Sequence, residues 1–181
     1  MSLINKGQVT LILQEKTTEY LAEKASRGNE ECFIELCEIM KTKLYRTAMG
    51  ILGNEASALD AVSEAVYRAY KGIRKLREPK YAETWFIRIL INAANDIYRR
   101  QKHEIITETV PEGEYYDKHS KLDFDQMIAF LQPELREIIS LKYYSDYTLK
   151  EISEIQNIPE GTVKSRLNKA LNLLRLEVIY E

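Results

Sequence analysis

The sequence predicts an all-α protein made of two small helical domains joined by a flexible acidic linker. Three observations favour this fold class. Leu, Ile, Ala, Glu and Lys recur at helical spacing, only 7 Gly and 4 Pro occur in 181 residues, and the helical period is lost between residues 101 and 122. The scarcity of Gly and Pro argues against a turn-rich all-β protein, and the length suffices for two small domains.

The predicted domain organisation has four segments, and Pro111 and Gly113 mark the segment that separates the two domains. We predict an N-terminal extension, a first helical domain, a linker and a second helical domain at residues 1–17, 18–102, 103–122 and 123–181, respectively.

Four helices are predicted in the first domain. The first begins near Thr18, and the second ends at Gly53, which suits a helix terminus. The second helix carries an apolar stripe that we expect to be buried, at Phe33, Leu36, Met40, Leu44 and Ala48. Asn54 is a good N-cap for the third helix. Its apolar stripe is expected at Leu59, Val62, Val66, Ala69 and Ile73.

A basic loop containing Pro79 leads to the fourth helix, for which Thr84 is the predicted N-cap. This helix is apolar almost all round, and we expect Trp85 to pack in the core. A narrow polar stripe interrupts it at Arg88, Asn92, Asn95, Asp96 and Arg99. Because an unpaired buried polar group costs about 1–3 kcal/mol, these side chains need partners. Either an internal pair such as Arg88–Asp96 or a bound partner molecule, or both, would supply them.

The stretch "YTLKEISEIQNIPEGTVKSRLNKA" contains two short amphipathic helices separated by a break. Thr148 and Glu151 form a capping box for the first helix. Asn157 tolerates the left-handed conformation that the break needs, and Pro159 favours the first turn of the second helix. The second helix is expected to bury Val163, Leu167, Ala170, Leu171 and Leu174. This pattern is typical of a helix-turn-helix, whose second helix reads the major groove; an ordinary helical hairpin is the alternative.

The net charge of −2 hides an uneven distribution of charge. Residues 68–102 contain ten Lys or Arg and three acids, and residues 161–175 contain four Lys or Arg and no acid. Residues 104–125 contain seven acids and two Lys. Two basic blocks separated by an acidic one indicate two surfaces that contact polyanions. For either block alone, a merely solvated helix is the alternative.

The sequence predicts no metal or cofactor. Cys32 and Cys37 would point about 140° apart on a helix, and His103 and His119 flank a non-periodic segment, so we expect two buried thiols in a reducing compartment. No apolar run approaches the roughly 18 residues of a membrane span, and the N-terminus lacks the features of a signal peptide. We therefore expect a cytoplasmic protein.

Two stretches together resemble the sigma factors of bacterial RNA polymerase, of the small extracytoplasmic-function type. "LYRTAMGILGNEASALDAVSEAVYRAYKGIRKLREPKYAETWFIRILINAANDIYRR" resembles region 2 of that family, and "LDFDQMIAFLQPELREIISLKYYSDYTLKEISEIQNIPEGTVKSRLNKALNLLR" resembles its region 4. Both occur in the family's order, and the linker has a suitable length. The chain departs from the usual pattern at Ser63, where Gln is frequent, and at Asn157, where Gly is usual.

The resemblance implies a protein that is not an enzyme and that lends promoter specificity to core RNA polymerase, which carries out the chemistry. Core polymerase would dock on Asp60, Ser63, Glu64, Tyr67 and Arg68. The minus-ten element would be held, partly as a single strand, by Arg74, Lys75, Arg77, Lys80, Tyr81, Arg88, Asn92, Asp96, Arg99 and Arg100. The minus-thirty-five element would be bound as duplex by Glu160, Gly161, Thr162, Lys164, Ser165, Arg166 and Lys169.

The resemblance also implies control by an anti-sigma factor, often anchored in a membrane, that covers the polymerase-binding surfaces. For the linker we hypothesise a role as a nucleic-acid mimic in the positively charged channel that normally holds RNA. Its acidic residues are Glu104, Glu108, Glu112, Glu114 and Asp117.

Two other classes of function compete. A stand-alone helix-turn-helix transcription regulator would share the second domain, but it would not need residues 54–100. A helical enzyme with a carboxylate metal site is the other alternative, with Asp60 and Glu64 on one helix face. However, the chain has no Glu-x-x-His pair to complete such a site.

Overall fold

The protein is described by a computed structural model that defines residues 18–107, 128 and 131–179. The predicted N-terminal extension and most of the predicted linker lie outside these residues. Within the described ranges every regular element is helical, and the all-α fold class is confirmed.

The first module comprises residues 18–107. It contains α1 (residues 18–26), α2 (Glu30–Leu52), α3 (Glu55–Gly72) and α4 (Ala82–Thr107), with 3₁₀ turns at Ile73–Lys75 and Pro79–Tyr81. Helices α2, α3 and α4 all pack against one another. Helix α4 continues to Thr107, so the helix extends beyond the predicted domain boundary at residue 102.

The second module comprises residue 128 and residues 131–179. It contains α5 (Pro133–Ile139), a π-helical turn (Ser140–Tyr144), α6 (Leu149–Gln156) and α7 (Glu160–Ile179). Helix α7 packs against α5 and α6. Pro133 occupies the first turn of α5, where its missing N–H costs nothing.

Local sequence signals place the ends of α2 and α3. Gly53 ends α2 with a left-handed φ of 70°, and the side chain of Asn54 accepts a hydrogen bond from the backbone N–H of Ser57. The predicted apolar stripe of α2, from Phe33 to Ala48, is buried throughout. These predictions are confirmed. The caps could be predicted from the sequence because each depends on only one or two neighbouring residues.

The predicted buried stripe of α3 is confirmed at Ala69 and Ile73 and wrong at Leu59. Leu59 is 50% exposed, and Val62 and Val66 are only half-buried. The rest of the buried face consists of alanines, at Ala58, Ala61 and Ala65. Small side chains let α3 approach α2 and α4 closely, since the distance between packed helices depends on the side chains at the contact. The close approach of the helices, rather than the greater hydrophobicity of Leu59, therefore decides which face of α3 is buried.

The predicted N-cap of α4 is also wrong. Helix α4 begins at Ala82, directly after the 3₁₀ turn Pro79–Tyr81, so Thr84 lies inside the helix. Trp85 is half-buried and packs against the core, in agreement with the prediction.

The helix-turn-helix is confirmed in its local geometry. Glu151 N–H donates to Thr148 Oγ1 at 3.2 Å, and Thr148 N–H donates to Glu151 Oε2 at 2.7 Å, which completes the capping box. Asn157 is left-handed, with φ 54° and ψ 47°. Helix α7 buries Val163, Leu167, Ala170 and Leu174 as predicted, whereas Leu171 is half-buried.

The two modules share one hydrophobic core, which the sequence did not predict. Helix α2 packs against α5 and the π-helical turn, and α4 packs against α6. The buried apolar residues of both modules form a single cluster. In the part of the chain that the structure defines, no helix is both long enough and apolar enough to cross a bilayer.

Candidate nucleic-acid interface

The outward face of α3 combines apolar and acidic side chains. Leu59 and Tyr67 are about half exposed, at 50% and 53%, and Asp60 and Ser63 are also exposed. Lys71 Nζ lies 4.2 Å from the centre of the Tyr67 ring. Exposed large apolar groups next to charges are typical of a protein–protein contact rather than of a surface that binds DNA.

Arg68 connects the face of α3 to α4. Its Nε donates to Glu64 Oε1 at 2.7 Å, and its NH1 donates to Asp96 Oδ2 at 3.0 Å. Arg99 NH1 lies 3.8 Å from the other oxygen of Asp96. The suggested Arg88–Asp96 pair is therefore wrong, because Asp96 is occupied by Arg68 while Arg88 points to the second module.

The loop between α3 and α4 presents cations beside an aromatic ring. Its predicted DNA-binding residues are all exposed, namely Arg74, Lys75, Arg77, Lys80 and Tyr81. Lys80 Nζ lies 4.7 Å from the centre of the Tyr81 ring and 3.0 Å from Glu78. An exposed ring with cations around it can stack a base while the cations contact the backbone phosphates.

The polar stripe of α4 faces the second module at one end and solvent at the other. Arg88 donates through Nε to the carbonyl of Ile155 at 2.7 Å and through NH2 to that of Glu154 at 2.6 Å. Asn95 donates to Glu137 Oε1 at 2.7 Å. Asn92 is exposed on the same row, and Arg99 and Arg100 are exposed at its far end.

The N-terminal half of α7 is a cationic surface. Lys164 and Lys169 are exposed, as are Glu160, Gly161 and Ser165, whereas Thr162 and Arg166 are half-buried. A Cβ atom added at Gly161 would have nothing within 4 Å, so the start of the helix is open to a partner. Cations here can bind phosphate while the first residues of the helix reach base edges.

Sequence reasoning missed the contact between the modules. The buried hydroxyls of Thr47 and Ser145 lie 2.8 Å apart, and Tyr147 OH donates to Glu83 Oε1 at 2.8 Å. Burial and the nearby Glu83 raise the pKa of Tyr147, so its hydroxyl stays protonated as a donor. Gly50 was the available signal, because a lone glycine inside a helical pattern usually has a packing reason.

The two cysteines are free and half-buried, whereas the sequence predicted buried thiols. Burial and the neighbouring Glu38 raise the pKa of Cys37 to about 11. Among the residues that the structure describes, no group of three or more His, Cys, Asp or Glu side chains could hold a metal ion. His119 and most of the acidic linker residues lie outside those residues.

The fold and its surfaces define a helical protein that pairs a helix-turn-helix with a second, basic helical module. Two family models match the chain: Sigma-70 region 2 at residues 36–104 and Sigma-70, region 4 at residues 121–174. The RNA polymerase sigma factor SigV of Bacillus subtilis (strain 168) is 32% identical over 146 residues, covering 78% of this chain and 87% of SigV. The ECF RNA polymerase sigma factor SigW of the same strain is 30% identical, covering 86% and 94%.

Solved structures of similar fold include CnrH in complex with the cytosolic domain of CnrY. That comparison gives a TM-score of 0.70 at 19% identity and covers 91% of this chain and 99% of the matched chain. The sigma factor RpoE in complex with the anti-sigma factor NepR from Bartonella quintana gives 0.58 at 21% identity, covering 78% and 94%. This chain belongs to the sigma-70 family, and its relatives SigV and SigW place it with the sigma factors of RNA polymerase.

The raised pKa of Cys37 predicts that its thiol reacts slowly with alkylating reagents. At pH 8 we expect Cys37 to react with iodoacetamide about 200-fold more slowly than an unperturbed thiol of pKa about 8.5, because the thiolate is the nucleophile and its fraction falls by that factor. Mass spectrometry of a time course would measure the rate, with the same residue in denaturant as the control. Equal rates in the native and denatured protein would contradict the burial of this side chain.

Proposed function

We propose that this chain binds core RNA polymerase and directs it to promoters by holding the minus-ten element with the first module and the minus-thirty-five element with the second. The observation that carries this proposal is the match to both sigma-70 regions, in order, on one chain. The chain supplies no chemistry of its own in this role. It acts in the cytoplasm and on the nucleoid when active.

The helix-turn-helix would bind the minus-thirty-five duplex. Arg166 and Lys164 lie in the first two turns of α7, where side chains of a recognition helix reach base edges and phosphates. Lys169 lies further along the helix and would contact the backbone. Each good base contact contributes about 1–3 kcal/mol of discrimination against the wrong base.

The first module would hold the minus-ten element. The exposed loop cations next to Tyr81 suit a strand whose bases have lost their stacking partners, since cations bind the backbone and a ring replaces the stack. Arg88 and Asn92 would extend this surface along α4, together with Arg99 and Arg100. Asp96 would act by positioning Arg68 and Arg99, because its carboxylate lies near both.

Core polymerase would bind the exposed face of α3. Asp60 and Ser63 lie on this face between the half-exposed side chains Leu59 and Tyr67. An acid-bearing face with apolar anchors avoids DNA and suits a protein partner. Glu64 would act through Arg68, to which it is hydrogen-bonded.

We further infer control by an anti-sigma factor. Two proteins of similar fold, CnrH and RpoE, were solved as complexes, the first with the cytosolic domain of CnrY and the second with the anti-sigma factor NepR. The half-exposed side chains of α3 give such an inhibitor a surface that overlaps the polymerase site. An inhibitor that bound there would compete with core polymerase directly.

Replacing Tyr67 by Ala should weaken binding to core polymerase by about 10-fold, because truncating an aromatic interface anchor costs more than 1 kcal/mol. Tyr20→Ala is the matched control, since Tyr20 is 56% exposed and also lies beside a lysine, Lys24. Competition binding against a labelled sigma factor would measure both variants. Equal losses in the two variants, or none in Tyr67→Ala, would contradict the assignment of this face.

Replacing Arg166 by Ala should reduce affinity for the minus-thirty-five duplex by about 5- to 100-fold and relax base preference at one position. Arg175→Ala removes the same charge from an exposed position on the same helix and should change affinity by less than about 3-fold. Transcription by reconstituted polymerase on a randomised promoter library would report both effects. Identical promoter profiles for the wild type and Arg166→Ala would contradict a role for Arg166 in recognising bases.

A further inference from the structure

The loop between α3 and α4 is anchored at both ends by buried side chains. Ile73, at its start, is 3% exposed, and Ala82, at its end, is 1% exposed. Each of its two 3₁₀ turns is closed by one backbone hydrogen bond of 3.0 Å, from the N–H of Leu76 to Ile73 and from that of Tyr81 to Glu78. The proposed minus-ten cations lie between these anchors and are exposed. Their positions therefore depend on how the two ends of the loop are held together.

One side chain joins the two ends of this loop. Gly72 is the last residue of α3, and Trp85 lies in the first turn of α4. A Cβ atom added at Gly72 would lie 3.2 Å from Trp85 Cζ2 and 3.9 Å from Cη2. The six-membered ring of the indole therefore lies directly against the backbone of Gly72. We call this the Trp85–Gly72 contact, and it links the end of α3 to the start of α4 across the base of the loop.

The glycine at residue 72 is not needed for the backbone conformation. Gly72 has φ −94° and ψ −18°, a right-handed conformation that is open to other residues. Glycine destabilises a helix relative to alanine, because it loses more conformational freedom on folding. An isolated glycine in a helical pattern usually has a packing reason. Here the reason is the Trp85 ring, which lies closer than ordinary van der Waals contact with a methyl group.

The contact uses the part of the side chain that only tryptophan has. Trp85 is half-buried and packs against the core. A phenylalanine could fill the core side of this position, but it lacks the second ring of the indole. Cζ2 and Cη2 belong to that ring, and they are the atoms that approach Gly72. The reach of the indole to α3 therefore explains a tryptophan at this position.

The Trp85–Gly72 contact is next to the proposed minus-ten loop residues on both sides. Tyr81 precedes Trp85 by four residues, which is the spacing of neighbours on one helix face. Arg74 and Lys75 follow Gly72 by two and three residues, in the first 3₁₀ turn. The contact therefore sets the separation between the proposed stacking ring and the nearest cations.

We propose that Trp85 and Gly72 are positioning residues for the minus-ten element: their contact holds the loop cations and Tyr81 in the arrangement that binds the strand. The inference rests on the proposed function, since it takes those loop residues as DNA contacts. Neither residue touches DNA in this role, and each acts through Tyr81, Arg74 and Lys75. Base preference at the minus-ten element therefore depends on how closely the indole lies against α3.

Gly72→Ala tests the proposal by placing a methyl group where the ring lies. Alanine is the better helix former, so we expect α3 to stay folded while the ring is displaced. With core polymerase and a promoter library randomised in both elements, we expect transcription from the preferred minus-ten element to fall about 10-fold, within the range of one good base contact. Base preference at the minus-ten element should change, whereas that at the minus-thirty-five element and the affinity for core polymerase should not.

Trp85 is the only tryptophan of the chain, so its fluorescence reports the contact directly. In Gly72→Ala we expect emission at longer wavelength and stronger quenching by acrylamide, because the displaced ring is more exposed to water. Glu35→Ala, at an exposed position of α2, is the control. It should match the wild type in fluorescence and in transcription.

Trp85→Phe provides a rescue experiment. On its own it removes the second ring of the indole and should also lower transcription about 10-fold. Combined with Gly72→Ala it leaves room for the added methyl group, which replaces part of the lost contact. We expect the double variant to transcribe at least as well as either single variant and to recover the base preference at the minus-ten element. Independent effects would instead multiply to a loss of about 100-fold.

The following results would overturn the positioning role: unchanged fluorescence or an unchanged minus-ten preference in Gly72→Ala, equal changes at both promoter elements, or a loss in the double variant that is the product of the single losses. If the wild type failed to initiate at any promoter, the proposed function would fail, and the role in promoter recognition would fail with it. The fluorescence results would still decide whether the Trp85–Gly72 contact exists.

Discussion

The arrangement of the molecule depends on the burial of Arg136 between the modules. A guanidinium can be buried only where rings and carbonyls replace its water, and here Tyr98 and the Ile51 carbonyl come from the first module while Arg136 comes from the second. Around it the fit is close enough to require a glycine at residue 50. This contact brings α4 next to the helix-turn-helix. The basic surface of the first module and that of α7 therefore lie side by side.

The same contact gives a physical role to the polar stripe of α4. A helix that is apolar almost all round keeps polar groups only where partners meet them. Arg88 and Asn95 meet groups of the second module, and Asp96 meets Arg68 of α3. The stripe therefore serves packing between the modules and within the first module, and in the proposed function its exposed members would serve DNA.

Local signals in the sequence predicted most of the fold. Gly53, Asn54, the Thr148–Glu151 capping box and Asn157 each act within a few residues, and the structure confirms all of them. The register of α3 was not predictable from hydrophobicity, because the alanine face is selected by how closely helices can approach. Sequence periodicity could not predict the contact between the modules, because it joins residues far apart in the sequence, such as Arg88 and Glu154 or Thr47 and Ser145.

The most direct test is a distance between the modules, measured by single-molecule fluorescence transfer. Dyes at exposed positions 35 on α2 and 172 on α7, in a chain with Cys32→Ser and Cys37→Ser, would report the separation of the modules in the free chain. We predict one narrow population of high transfer efficiency, because the buried contact holds the modules together. A broad distribution of low efficiency would contradict the account.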